Sequence, residues 1–270
     1  MFGKLWAFYK RDFQIHLTYR FGFFFGLAHA FVSLLLFFFI GKLFGTIGTH
    51  PYLAPYGGDY FRFVLLGIAF SNVMSTSLGS LNQTISFERG HGTLEAILLT
   101  PTSFLTVALG RALWDISLVI VKVAMYLAVG AWFFGADFSQ ANWIAALPIV
   151  LLTVTTFLGL GMISAGFVLL TREASPIDLV LAWASRFLAG VYFPVAVFPE
   201  WLSRLSMWVP LTYTVDAVRK SLILGAPLDA IGRELMMLLG FSTLFFPAGL
   251  LFLHWAFDRA RSRGSLAFDV

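Results

Sequence analysis

The 270-residue sequence has no cysteine, which excludes disulfides, thiolate metal sites and thiol nucleophiles. It is also poor in charge. Asp, Glu, Lys and Arg make up 12% of the chain, about half of the roughly 25% usual in a soluble domain. No G-x-x-x-x-G-K-[ST] run occurs, so the chain cannot cradle ATP in a P-loop. Any ATP-driven process would need its ATPase on another chain. No strand-like pattern leads into a G-x-G-x-x-G. Gly161-Met162-Ile163-Ser164-Ala165-Gly166 fails the G-x-S-x-G nucleophile elbow, because Met162 stands where the first glycine belongs. His16, His29, His50, His91 and His254 are scattered, with no second His or carboxylate at ligand spacing on a convincing face. Neither catalysis, a metal nor a cofactor of its own is therefore expected of this chain, and no nucleic-acid partner is expected.

What remains is apolar. Hydrophobic residues make up 59% of the chain, with 31 Phe, 8 Trp and 8 Tyr, and the mean hydropathy is +0.84. These values belong to the membrane class. A spanning helix needs about 20 mostly apolar residues. Six runs qualify: Phe21 to Gly41, Phe63 to Phe87, Ile116 to Ala136 interrupted by Lys122, Phe138 to Thr171, Leu179 to Pro199 carrying Arg186, and Leu235 to Phe257. The expected fold class is an all-α membrane protein with about six transmembrane helices in a single domain, residues 1–270. Its parts divide as 1–20, 21–87 (spans one and two), 88–103, 104–199 (spans three to five), 200–231, 232–258 (span six) and 259–270. No cleavable leader is expected, since the first apolar run starts only after Arg20 and no small-residue cleavage site follows it.

Cations flank these runs unevenly. Lys4, Lys10, Arg11 and Arg20 precede the first. Arg89 and Arg111 surround the gap after the second, Arg172 follows the fourth, and Arg259, Arg261 and Arg263 close the chain. With six spans all of these fall on one side, which sets both termini in the cytoplasm. Arg204, Arg219 and Lys220, between spans five and six, run against the rule. At the N-terminus Leu5, Tyr9, Phe13 and Leu17 recur every four residues opposite Lys4 and Arg11, which predicts an amphipathic helix lying at the membrane surface. It serves either to anchor the first span or to touch a partner through Lys4 and Arg11.

Prolines 194, 199 and 210 break the stretch before the last span. Trp201, Leu202, Leu205 and Trp208 make an apolar stripe at helical spacing there, and Asp216 precedes Arg219 and Lys220 by three and four residues, a favourable pairing. Half-length helices of this kind predict a re-entrant or outer-leaflet element, either lining a pathway or forming an interfacial hairpin. Tyr192, Phe193, Trp201, Trp208 and Tyr213 are its candidate pathway or packing residues. Asp115, Lys122 and Arg186 are the charges inside spans, where a functional role is the default and structural pairing or snorkelling the alternative. Gly159, Gly161 and Ala165 are expected to be helix-packing surfaces.

The most distinctive run lies between the second and third spans: Glu88-Arg89-Gly90-His91-Gly92-Thr93-Leu94-Glu95-Ala96-Ile97-Leu98-Leu99-Thr100-Pro101. Gly90 and Gly92 loosen the chain. Thr93 can cap a helix, Glu95 falls in its first turn, and Thr100-Pro101 stops it. The spacing predicts a helix of about two turns, displayed as a docking surface.

This run resembles the E-x-x-x-G-T-L-E-x-L-L-x-T-P signature of ABC-2-type permeases, the membrane subunits of bacterial exporters of drugs, glycolipids and cell-surface polysaccharides. Gly190-Val191-Tyr192-Phe193-Pro194, Phe198-Pro199-Glu200-Trp201, Pro210-Leu211-Thr212-Tyr213 and Arg219 are similar to the family's segment before its last span. The order of elements agrees over nearly the whole chain. A departure is the single Glu88, with Phe87 before it, where many members carry two acidic residues. The resemblance implies a plasma (inner) membrane location and a homodimer, or a dimer with a related permease. It also implies two partner ATPase subunits that carry ATP and Mg. It implies that Glu88, Arg89, Gly90, Gly92, Thr93, Leu94, Glu95, Leu98, Thr100 and Pro101 form a coupling helix gripped by the ATPase. The cargo would be amphipathic, lipid-like or drug-like, or alternatively a lipid-linked polysaccharide or glycolipid. A secondary transporter driven by ions is the competing class, but it needs midplane carboxylates and internal repeats, and the sequence shows neither.

Overall fold

The structure, a computed structural model, describes residues 6, 9–11, 13, 14, 20–45, 51–90, 104–171 and 177–262. Side chains are described for these residues except 20–30, 44, 45, 87–90, 104–109, 177 and 261. The described residues form helices and no strands. In chain order these are α1 (Arg20–Gly45), a 3-10 turn at Pro51–Tyr56, α2 (Tyr60–Gly90), α3 (Phe104–Phe134), α4 (Trp143–Thr171), α5 (Ile177–Leu188), a 3-10 turn at Val195–Val197, α6 (Glu200–Ser206), α7 (Pro210–Ile223), a 3-10 turn at Leu228–Ile231 and α8 (Gly232–Ser262).

Among the described residues, four segments are long and apolar enough to cross a bilayer: Tyr60–Ser86, Gly110–Phe134, Trp143–Thr171 and Leu228–Ala260. The protein is thus an all-α membrane protein. The first apolar run lies in α1, of 26 residues. The fifth is helical only in part. α5 stops at Leu188 after 12 residues, a rise of about 18 Å against a hydrocarbon core of about 30 Å. The stop is a Schellman motif. Gly190 takes the left-handed φ of 66°, its N–H donates to Phe187 O, and the Val191 N–H reaches back to Arg186 O. The run to Pro199 therefore ends in a turn ten residues before its apolar composition does.

α2 is the central helix. Asp59 caps it, its Oδ1 accepting from the N–H groups of Phe61 (2.9 Å) and Arg62 (3.2 Å). Phe63, Leu65, Leu66, Phe70 and Met74 are fully buried along it. α3 and α4 pack on its sides, and α8 packs on α4. The α4 contacts are close because the contact residues are small. A Cβ added at Gly159 would lie 2.5 Å from the Phe245 carbonyl on α8, and one added at Gly161 would strike the Leu78 carbonyl on α2. The predicted packing role of these glycines is what the structure shows.

Near the N-terminus, Trp6, Tyr9, Lys10, Arg11, Phe13 and Gln14 are helical. The rings of Tyr9 and Phe13 meet the buried Trp114 of α3 edge-on at 5.2 and 5.5 Å. The apolar face read from the four-residue spacing thus packs against α3.

Candidate functional site: a buried arginine beside a polar cavity

α7 opens with Pro210 at its first turn, where a missing N–H is harmless. It sets three ionisable side chains within five residues. Asp216 and Lys220 pair along the helix at 2.9 Å. Arg219 turns inward and is 3% exposed. Its Nε donates to Phe63 O at 3.1 Å, and its Nη2 donates to Gly190 O and Val191 O at 3.0 Å each. The guanidinium lies 3.3 Å from the centroid of the Phe63 ring and 5.6 Å from that of Tyr56.

This cradle follows from local backbone chemistry. The turn after α5 points two carbonyls away from any helix ladder, and a buried carbonyl needs a donor. Arg219 supplies one to both. The turn can approach α2 only because residue 67 is glycine: a Cβ there would lie 2.5 Å from Val191 O and 2.9 Å from Arg219 Nη2.

A chain of polar contacts extends from this point. The Tyr56 hydroxyl donates to Asp216 Oδ1 at 2.9 Å. Lys220 Nζ bridges Asp216 Oδ2 and Glu234 Oε1, each at 2.9 Å. Glu234 is 5% exposed, and its Oε2 has no partner among the described residues. Burial pushes the Tyr56 hydroxyl up to about 12; the Asp216 charge and hydrogen bond add to the effect, while Arg219 and Lys220 oppose it. A cavity of about 200 Å³ lies against this chain, lined among others by Tyr56, Tyr213, Asp216, Arg219, Arg233 and Glu234. Among the described residues no group of three or more His, Asp or Glu could hold a metal.

The cavity sits at the Tyr60 end of α2. Phe63 and Gly90 are about 40 Å apart along a straight helix, so the cavity and the Glu88–Gly90 end of α2 lie at opposite ends of a spanning segment.

The structure brings few of the sequence-predicted residues to this cavity. Tyr213 lines it, with its hydroxyl donating to Met207 O. Trp201 and Trp208 do not; they are 65% and 79% exposed on the outer side of the α6 region. Tyr192 stacks on Phe37 of α1 at 5.6 Å, and Phe193 packs with Phe187 and Phe198. Arg186 donates to Ser75 Oγ on α2 at 2.9 Å. Asp115 is half-buried beside Trp114, and Lys122 is exposed on α3 between Val121 and Val123. Arg11 is half-buried. Lys4 and the run Gly92, Thr93, Leu94, Glu95, Leu98, Thr100 and Pro101 lie outside the described residues. Glu88, Arg89 and Gly90 end α2, with their side chains outside the description.

Arg219, Tyr56 and Glu234 escaped the sequence reading as site residues. The three cations that ran against the charge rule are internally matched here. Arg204 pairs with Glu200, Lys220 with two carboxylates, and Arg219 with three carbonyls.

A second polar cluster joins three helices nearer the other end. Asn82 Nδ2 on α2 donates to Ser164 Oγ on α4 at 2.9 Å and to Asp178 Oδ2 at the start of α5. Asn82 and Ser164 are buried.

The model of the ABC-2 type transporter family matches residues 3–223. Nodulation protein J of Rhizobium meliloti (strain 1021) is 25% identical over 183 residues, covering 66% of this chain and 68% of that protein. "Probable multidrug ABC transporter permease YbhR" of Escherichia coli (strain K12) is 23% identical over 184 residues, 67% of this chain and 49% of YbhR. The linearmycin resistance permease protein LnrN of Bacillus subtilis (strain 168) is 23% identical over 184 residues, 68% of this chain and 47% of LnrN. The matched stretch thus spans about half the length of the last two.

Proposed function

Because the chain belongs to the ABC-2 type transporter family and is the membrane subunit of an ABC transporter, we propose that it moves an amphipathic, lipid-like or drug-like cargo outward. Family members normally work with an ABC ATPase subunit, and this chain has no P-loop of its own. The proposed complex holds two copies of the chain and two ATPase subunits in a bacterial inner membrane, with both termini cytoplasmic.

The observation that carries this reading is the run from Glu88 to Pro101. A charged segment with its own helix cap and stop signals separates two long apolar helices, α2 and α3, and falls inside the stretch matched to the family. On this reading the ATPase grips it as a coupling helix. Motion then passes into α2, whose other end touches the Arg219 cradle, and into α5 through Asn82 and Asp178. The names of YbhR and LnrN support a drug-like cargo.

The test is charge reversal at the run. Glu88→Arg and Glu95→Arg should leave the protein inserted in the membrane and sharply lower ATPase association and transport-coupled ATP hydrolysis. Normal association and hydrolysis in both variants would remove the docking assignment.

A further inference from the structure

We propose that the cavity beside Arg219 binds the phosphodiester of a membrane-lipid headgroup. The inference goes beyond the transport reading and holds whichever cargo the complex moves.

The first support is charge. Arg219, Lys220 and Arg233 bring three positive charges to this region, and Asp216 and Glu234 bring two negative ones. Lys220 is committed to both carboxylates, so the cluster keeps one positive charge in excess on the arginine side. A phosphodiester carries one negative charge and closes that balance.

The second support is donor geometry. Arg219 uses Nε and Nη2 on three carbonyls, and its Nη1 donates to none of the described residues although the side chain lines the cavity. A guanidinium that lines a space far larger than one water, with one of its nitrogens uncommitted to the described residues, asks for an acceptor oxygen. Arg233, exposed at the start of α8, lines the same cavity. Two arginines converging on one space suit the several oxygens of a phosphate.

The third support is placement. The cavity lies at the end of spanning helix α2, the depth at which headgroups sit. Beside it, α6 and the residues after it turn Trp201, Leu205 and Trp208 outward, an aromatic and apolar face suited to the interface and to the upper part of acyl chains.

The experiment uses the full-length chain, purified in neutral detergent and stripped of lipid. It is titrated with short-chain phosphatidylglycerol, with a glucosyl diacylglycerol of the same chain length, and with inorganic phosphate. Bound ligand is counted by native mass spectrometry. One phosphatidylglycerol per chain should be retained at least tenfold more tightly than the glucolipid. Arg233→Gln, at an exposed position that leaves the Arg219 cradle intact, should weaken that retention about tenfold, the worth of one hydrogen bond to a charged group. Arg204→Gln, which removes a surface charge outside the cavity, should leave it unchanged. Equal retention of the two lipids, unchanged retention in Arg233→Gln, or equal weakening by Arg204→Gln overturns the proposal. Inorganic phosphate bound as tightly as the phospholipid overturns the lipid as its source.

Discussion

Replacing Arg219 with methionine keeps most of the side chain's length and removes all of its hydrogen-bond donors. Three carbonyls, of Phe63, Gly190 and Val191, then lose the donor that satisfies them. A buried polar group left unpaired is worth about 1–3 kcal/mol. Part of that sum is returned, because the guanidinium no longer has to be held out of water. The net loss should be about 3–5 kcal/mol, the lower part of the sum for three unpaired carbonyls. At about 2–4 °C per kcal/mol for a chain of this size, the melting temperature in detergent should fall by roughly 10 °C, read by tryptophan fluorescence. Gly67→Ala attacks the same cradle from α2, since its Cβ would lie 2.5 Å from Val191 O and 2.9 Å from Arg219 Nη2. The two changes should therefore not add. The double variant should melt clearly above the value expected from summing the single losses. A loss under about 2 °C for Arg219→Met, or full additivity with Gly67→Ala, would refute the cradle as the joint between α2, the turn after α5 and α7.

Three further outcomes follow from the same contacts. Tyr56 holds its proton more tightly folded, up to about 12, than unfolded, near 10, so its contribution is complete below pH 10 and is lost as pH rises towards 12; the gap in melting temperature between wild type and Tyr56→Phe should be flat to pH 10 and shrink above it. At the Asn82 joint, Asn82→Ala should lower the melting temperature by several degrees, and Asn82→Asp should lower it further, because it sets a second carboxylate against Asp178. The absence of native cysteine makes sidedness directly measurable: Trp208→Cys should react with an impermeant maleimide added outside intact cells and Arg89→Cys only after permeabilisation, and the reverse pattern would invert the proposed topology.

Several features were legible in the sequence for physical reasons. The small residues Gly159 and Gly161 announced a close helix contact, and the spacing of Asp216 and Lys220 announced their pairing. The four-residue recurrence of Tyr9 and Phe13 marked a packed face. The end of α5 was also written in the sequence, as Gly190 followed by Pro194, but it was masked by an apolar run that continues to Pro199. Hydropathy measures greasiness, and a Schellman turn packed inside protein is as apolar as a helix. The stripe of Trp201, Leu205 and Trp208 showed one apolar side of a short helix without showing what that side faces; it faces outward. Arg219 has the same helical spacing to Asp216, yet it donates instead to backbone carbonyls up to 156 residues away, and no spacing rule reports those. Tyr56 and Asp216 are separated by 160 residues and are hidden for the same reason. The charged run was the strongest functional signal in the chain, and residues 91–101 of it lie outside the described residues.

The most direct measurement is purification of the tagged chain from gently solubilised native membranes, followed by mass spectrometry of what accompanies it. A P-loop ATPase should co-purify near one-to-one with the wild type and be lost from Glu95→Arg. A clean homo-oligomer without an ATPase, from membranes in which transport is active, would contradict ATP-driven export through this chain and turn attention to an ion-coupled mechanism.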